Sequence, residues 1–506
     1  MRRRSAAEIR DLVIDRGSWR CWDRAPRDVD AEDEYLSELL RARAATGLDE
    51  AVTTGRATVQ GRPIALVIGE FGFMGGSIGA AAGERIATAI RRATAARLPV
   101  LALPSSGGTR MQEGTPAFLQ MIRITAAVNE HKAAHLPYLV YLRHPTTGGV
   151  FASWASLGHI TVAEPEALLG FLGPRVYESL YGEPFPADVQ VAENLYRHGL
   201  VDAVVPPERL SLLIGSALSI ISPPRPPRVM PRGGEDFGAP DPRDAVDVWA
   251  SVQASRSVGR PGVRELLEYT ASESLVLHGA GHGEKDPGLI LALVRFGDVS
   301  CVLLGQDRHG QTAETPLGPA ALREARRGMR LAADLRLPLV SVIDTAGAAL
   351  SKAAEEGGLA AEIARCISDM VALDVPTVSV LLGQGTGGAA LALLPADAVI
   401  AAQHGWLSPL PPEGASAILY HDTTHAPEMA ARQRIGSADL RMVGLVDVIV
   451  PESPDAVADP AVFCTRVGAA ITAALHHLVP LDDRSRHRRR TERFERVGTP
   501  IERALG

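Results

Sequence analysis

Two glycine pairs, Gly148-Gly149 and Gly387-Gly388, each close an apolar, β-branched run of one design: LPYLVYLRHPTTGGV from Leu136 and VPTVSVLLGQGTGGA from Val375. The second begins 375 − 136 = 239 positions after the first. Such a run reads as a buried parallel strand, and the glycine pair as a turn into a helix whose first amides have no intrahelical acceptor. Unpaired amides of this kind can hold an oxygen on which negative charge develops. Glycine suits the position because a Cβ would keep a substrate carbonyl off the backbone. A second pair of turns repeats with the same spacing. LPVLALPSSGG from Leu98 ends on Gly107 and Gly108, LPLVSVIDTAG from Leu337 ends on Ala346 and Gly347, and 337 − 98 = 239.

These turns need elements to carry them, and the repeat supplies the elements twice. GLVDAVVP from Gly199 returns as GLVDVIVP from Gly444, an offset of 245, so 245 − 239 = 6 residues of loop separate the copies further. Two tandem copies of one α/β domain follow. Residues 1–60 read as an N-terminal entry segment with a helix over Asp30–Ala45, and the first copy as residues 61–221, starting with a strand at Arg62–Phe71. A proline-rich linker is expected over 222–243, the second copy over 244–480, and a charged tail over 481–506. Strand and helix alternate, so the sheets should be largely parallel, with ligands at the carboxyl ends of their strands.

Composition removes several function classes. The 506 residues carry a net charge of −7, which gives no reason to expect nucleic acid. Cys21, Cys301, Cys366 and Cys464 are too scattered for a disulfide framework or a zinc ribbon, so reduced thiols and no metal are expected. No apolar run has the length of a signal-peptide core or a membrane span, and cytoplasmic residence is the expectation.

The motifs resemble a known family, the carboxyltransferase subunits of biotin-dependent acyl-CoA carboxylases in the crotonase-like superfamily. The first copy resembles the β subunit of the bacterial acetyl-CoA enzyme through FGFMGGSIGAAAGER, SSGGTRMQEG and PTTGGVFASWASLGHITVAEPEALLGFLGPR. The second resembles the α subunit through VLLGQDRHGQ, IDTAGA, GQGTGGAALAL and SPLPPEGASAILY. The resemblance implies an α/β fold of two tandem crotonase-like ββα-repeat domains, the first receiving acetyl-CoA and the second carboxybiotin carried on a partner protein. It also implies biotin carboxylase and biotin carboxyl carrier protein as partners, a homo-oligomer, and transfer of carboxyl to give malonyl-CoA. The oxyanion donors would be Gly107, Gly108, Gly148 and Gly149 in the first copy and Ala346, Gly347, Gly387 and Gly388 in the second. Phe73, Met74, Gly75 and Gly76 would line the CoA side through amides at a helix start, and Arg110 would either meet substrate anions or form an internal salt bridge.

Three departures from the family pattern stand out. The β subunit's four-cysteine zinc ribbon is reduced to Cys21, the usual proline of the α subunit's Asp-Thr-Pro-Gly turn is Ala346, and the loop after that turn, AALSKAAEEGG, also differs. Two rival patterns also occur. Gly75-Gly76-Ser77-Ile78-Gly79 matches a nucleophile elbow, with His198 and Asp202 as partners, and Gly383, Gly385 and Gly388 match a dinucleotide fingerprint. The repeat explains neither. Gly148→Val or Gly387→Val is expected to stop turnover with the fold largely intact.

Overall fold

The computed structural model describes residues 3–26, 33–222 and 247–496. All but Ser222 of the expected linker, and the tail beyond residue 496, lie outside the described residues. The chain forms two compact units, Met1–Ser219 with Gly281–Gly283, and Ile220–Ala280 with Glu284–Gly506.

The first unit is built on a sheet of seven strands, β1 (Arg20–Cys21), β2 (Val52–Val59), β3 (Arg62–Gly69), β4 (Val100–Leu103), β5 (Tyr138–Leu142), β6 (Ile160–Ala163) and β7 (Ala203–Val204), neighbours in that order. β1, β2 and β3 pair antiparallel, and β3 through β7 pair parallel. The second unit repeats the plan with β8 (Ala271–Leu277), β9 (Leu289–Phe296), β10 (Val299–Gln306), β11 (Leu339–Thr345), β12 (Thr377–Thr386), β13 (Ala398–Ala402) and β14 (Val448–Val450). Again the first three pair antiparallel and the rest parallel. The repeat read from the sequence is thus a repeat of topology.

VLAL in β4 and YLVYL in β5 are buried at every position, as strands covered on both faces must be. The helix Ala80–Ala95 covers the sheet with Ile86, Ala87 and Ile90, and Gly114–Ala133 with Ile124 and Val128, all packed in one cluster with Val67, Val100 and Val140. In the second unit Pro319–Leu335 buries Leu322, Ala325, Met329 and Ala332. Pro460–Leu478 buries Phe463, Val467 and Ile471 against Val340, Val380 and Ile400. By length and composition this last helix could cross a membrane, contrary to the expectation that no run has that character. Its buried stripe makes it a core helix.

The sequence reading and the structure differ in three further places. VTTGRATV forms β2, hydrogen-bonded to β3 on the far side of a two-residue turn, and its Thr-rich pattern hides a strand. The helical stretch expected over 244–269 is two helices, Val248–Ser255 and Val263–Thr270, because Gly259 (φ +82°) and Pro261 fall between them. The charge run after Asp482, expected to be a solvated helix or tail, forms the helix Asp483–Arg496, but with Arg486 and Arg490 buried.

A buried acid in the second unit gives a pH prediction. Glu324 lies inside the helix Pro319–Leu335 with its Oε1 accepting from the Gly279 amide at 3.1 Å. Burial pushes its carboxyl up to about 7, against the lowering effect of Arg327 and of the Gly279 and Asp286 amides. Between its ordinary value of 4.5 and about 7 the folded unit holds a proton that the unfolded chain has released. Stability of this unit therefore falls as pH rises through that window, by at most about 3 kcal/mol. Urea unfolding across the window should show the slope in the wild type and a flatter one in Glu324→Gln. Equal slopes would contradict the assignment.

Candidate active site

β4 and β5 lie side by side, so the turns that follow them meet. The Ser106 amide donates to Pro145 O at 2.7 Å and the Thr147 amide to Ser106 O at 2.9 Å. A Cβ built on Gly148 (φ +64°) would stand 3.2 Å from Gly107 O and 3.3 Å from Gly108 Cα. The Gly107-Gly108 and Gly148-Gly149 turns thus pack backbone on backbone. A third turn joins them: Gly75 O accepts the Gly107 amide at 2.8 Å. Gly76 (φ +64°) holds it close, since a Cβ there would lie 2.1 Å from Ser105 O. Gly76→Ala should therefore cost about 1–3 kcal/mol of stability and disturb the site, read as a lowered unfolding midpoint. A midpoint equal to the wild type would refute this packing.

Several of the expected donor amides have hydrogen-bond partners within the fold. Gly107 spends its amide on Gly75 O, Gly108 on Ser106 Oγ at 3.0 Å, and Gly148 on Phe171 O at 3.0 Å. In the second unit Gly347 spends its amide on Thr345 Oγ1 at 3.1 Å. Ser106 and Thr345 are 239 positions apart, so each unit braces its turn with its own hydroxyl. These amides have partners within the fold, and they hold the shape of the turns. Gly149 is the second residue of the helix Gly148–Phe151, and Gly388 the second of Gly387–Leu391, where an amide has no intrahelical acceptor. Ala346 sits exposed at the tip of its turn, as Gly107 does.

The expected CoA side also changes. Phe73 is buried among Tyr35, Leu39 and Ala51, and its amide goes to Glu70 O at 3.2 Å. It is core. The start of the helix Ala80–Ala95 is closed by the chain's own carboxylate, Glu113, whose Oε2 accepts the Ala80 amide at 2.6 Å. The corresponding start of Pro319–Leu335 is closed by Asp286, which accepts the Gly318 amide at 2.9 Å. Arg110 is 1% exposed and donates to Glu50 at 3.1 Å, Tyr35 Oη at 3.2 Å and Ser77 O at 2.9 Å. Burial opposes its charge, but Glu50 more than offsets this and raises its pKa. Of the two readings for Arg110 the structure shows the internal salt bridge. Met74 and Gly75 remain half-buried at the turn.

A buried polar network behind the second unit's turns was missed. Asp344, at the end of β11, accepts the Gln384 amide at 3.1 Å and pairs with Arg308 at 3.3 Å. Burial pushes its carboxyl up, with Arg308 pulling the other way. Gln306 accepts the Asp344 amide at 3.2 Å and donates to Ala389 O at 2.8 Å, tying the helix after Gly387 to the neighbouring strand. Gln311 donates to Asp344 O at 3.1 Å and accepts from Thr345 Oγ1 at 2.6 Å. The signal was present in GQDRHGQ, amides and charges directly behind an apolar strand.

The rival patterns dissolve. Ser77 Oγ donates to Met74 O at 2.8 Å, while His198 Nδ1 lies 2.9 Å from Asn194 O and Asp202 accepts the Thr161 amide at 2.8 Å, so no triad forms. Gly383 and Gly385 are required by packing, since a Cβ on either would come within 2.5 Å of Asp344 Oδ1 or Trp406 O.

Twin units of this topology, each ending adjacent parallel strands in a braced glycine corner, define the crotonase-like class. Among solved structures, transcarboxylase 12S, described as a hexamer assembly with methylmalonyl-coenzyme A and methylmalonic acid bound, superposes with a TM-score of 0.74 over 94% of this chain and 89% of that one, at 20% identity. The chain belongs to the carboxyltransferase family of the biotin-dependent acyl-CoA carboxylases, the carboxyl transferase domain matching residues 6–490. A probable biotin-dependent acyl-coenzyme A carboxylase beta3 subunit of Mycobacterium tuberculosis is 57% identical over 500 residues, 99% of this chain and 100% of that protein. The acetyl-coenzyme A carboxylase carboxyl transferase subunits beta/alpha of Salinispora arenicola are 38% identical over 510 residues, 96% and 89%.

Proposed function

We propose that the chain transfers the carboxyl group of carboxybiotin, presented on a carrier protein, to acetyl-CoA to give malonyl-CoA, with propionyl-CoA or a longer acyl-CoA as the alternative acceptor. The observation that supports this most is the matched pair of helix-start amides, Gly149 and Gly388, each behind a hydroxyl-braced turn 239 residues from its counterpart. Loss of the α-proton puts charge on the acceptor's thioester oxygen, and the Gly149 amide in the first unit stabilises it. The Gly388 amide does the same for the ureido oxygen of biotin in the second unit. The donor set fits that group: a neutral amide in a glycine corner, braced by Thr345 and Gln311, holds an oxyanion without supplying a proton of its own. Carboxybiotin supplies the carboxyl group and, once relieved of it, the basic nitrogen that takes the α-proton, so no side-chain base is required.

Biotin carboxylase and a biotin carboxyl carrier protein are the partners on this reading, in the cytoplasm. A homo-oligomer is supported by the exposed apolar face of Met111, Phe118 and Ile122, at 82%, 61% and 68% exposure, too apolar to be left in water. The test is an acceptor series with biotin carboxylase, carrier protein, ATP and bicarbonate. The highest kcat/KM is expected with acetyl-CoA. A maximum at propionyl-CoA or beyond reassigns the acceptor, and no carboxylated product from any of them refutes the reading.

A further inference from the structure

Gln306 is the last residue of β10 and is fully buried. Its side-chain amide reaches past the neighbouring strand. Oε1 accepts the Asp344 amide of β11 at 3.2 Å, and Nε2 donates at 2.8 Å to Ala389 O in the helix Gly387–Leu391, which follows β12. β10, β11 and β12 are neighbours in that order, so one side chain fastens the carboxyl ends of all three. The helix it holds has five residues, too few to keep its own axis without outside contacts. Carbonyls and amides of a helix point along that axis in opposite senses, so a donor fixed on Ala389 O also sets where the Gly388 amide points.

In the first unit the same position carries no side chain. Ile68 of β3 lies opposite Leu103 of β4, as Gly305 lies opposite Val342, and 342 − 103 = 239. The residue after Ile68, the counterpart of Gln306, is therefore Gly69. A Cβ there would stand 2.8 Å from the Ser105 amide, and 344 − 105 = 239 makes that amide the counterpart of the one Gln306 accepts. The helix Gly148–Phe151 is braced from just beyond its own end instead, by Ser153 Oγ donating to Gly149 O at 2.5 Å. The two corners share their turns and differ in what holds the helix behind them.

We infer that Gln306 is a positioning residue for the carboxybiotin half of the reaction alone, aiming the Gly388 amide at the ureido oxygen through Ala389 O. This rests on the assignment of the second unit to carboxybiotin. It gives the two halves of one reaction separate structural controls.

The experiment is carboxyl transfer from malonyl-CoA to free biotin by the wild type, Gln306→Met and Gln306→Glu, beside calorimetric binding of CoA and hydrogen–deuterium exchange of the two corners. In this direction the carboxyl leaves the malonyl α-carbon for the biotin nitrogen, and the α-carbon takes the proton that the nitrogen gives up. Gln306→Met keeps the length of the side chain and loses both bonds. Its kcat per folded molecule should fall about 10–100-fold, with KM for malonyl-CoA and affinity for CoA unchanged. Exchange should quicken over residues 384–392 and stay the same over 145–152. In Gln306→Glu a protonated carboxyl still donates to Ala389 O and accepts from Asp344, whereas an ionised one only accepts. The rate of this variant relative to wild type should therefore be near parity in acid and fall toward that of Gln306→Met as pH rises, the Asp344–Arg308 pair being common to both proteins. A wild-type rate in Gln306→Met, or a ratio for Gln306→Glu that stays at the Gln306→Met level at every pH, overturns the proposal. Weakened CoA binding in Gln306→Met would instead refute the assignment of the second unit to carboxybiotin. No transfer by the wild type would refute the proposed reaction, and exchange, read without turnover, then decides whether Gln306 holds the corner.

Discussion

Alanine in place of Gly148 is expected to reduce carboxyl transfer by at least about a hundredfold while the first unit stays folded. The added Cβ meets Gly107 O at 3.2 Å and Gly108 Cα at 3.3 Å, so the two turns must separate, and the Gly149 amide turns with them. The φ of +64° adds about 1–2 kcal/mol of strain, which a domain of this size survives. Gly387 has the same conformation at φ +65°, but its Cβ would find only Pro409 O at 3.4 Å. Gly387→Ala should therefore lose activity with a smaller loss of stability than Gly148→Ala. Valine, the replacement the sequence alone suggests, is a poorer probe, because a β-branched residue at positive φ adds strain that confuses the readout. Measuring kcat and the thermal midpoint for both alanine variants separates the effects. Unchanged rates would contradict the assigned donors.

The second large effect belongs to the second unit's frame. Arg490 and Asp397 are each 1% exposed in their side chains and form a bidentate pair, Nε to Oδ1 at 3.0 Å and Nη2 to Oδ2 at 2.9 Å. Arg490 also donates to the carbonyls of Met370 and Leu373 at 2.7 and 2.9 Å, closing the end of the helix Leu359–Ala372. Arg490→Ala leaves a buried carboxylate and several carbonyls without their partner, a loss of about 3–5 kcal/mol. Denaturant unfolding should show a clear drop in midpoint for this variant, and a drop of comparable size in Asp397→Ala. A loss below about 1 kcal/mol would mean the helix Asp483–Arg496 is not anchored as described.

Repetition made most of the fold legible. A single LPYLVYL run could be any buried strand, but its return 239 residues later with the same glycine corner tied two strands and two turns together, and the sheets reproduce that pairing. The corners were legible as places and only partly as chemistry. Which amide in a glycine turn is spent on shape depends on neighbours such as Phe171 O and Ser106 Oγ, whose positions a local pattern does not encode. Arg110 illustrates the same limit: its partner Glu50 lies 60 residues away, and the sequence cannot tell an internal ion pair from a ligand contact. The charged run after Asp482 misled for the opposite reason. Two of its arginines are themselves buried and reach backbone carbonyls, an arrangement with no apolar period to reveal it.

Transfer of one carboxyl group from biotin to an acyl-CoA through the two amide corners is tested most directly by following label from a carboxylated carrier protein to the CoA product. Wild type, Gly148→Ala and Gly387→Ala would be run side by side. Label in the CoA product with the wild type, and its near-complete loss in each single variant, is the result predicted. Equal transfer by all three, or no transfer by the wild type to acetyl-, propionyl- or longer acyl-CoA, would contradict it.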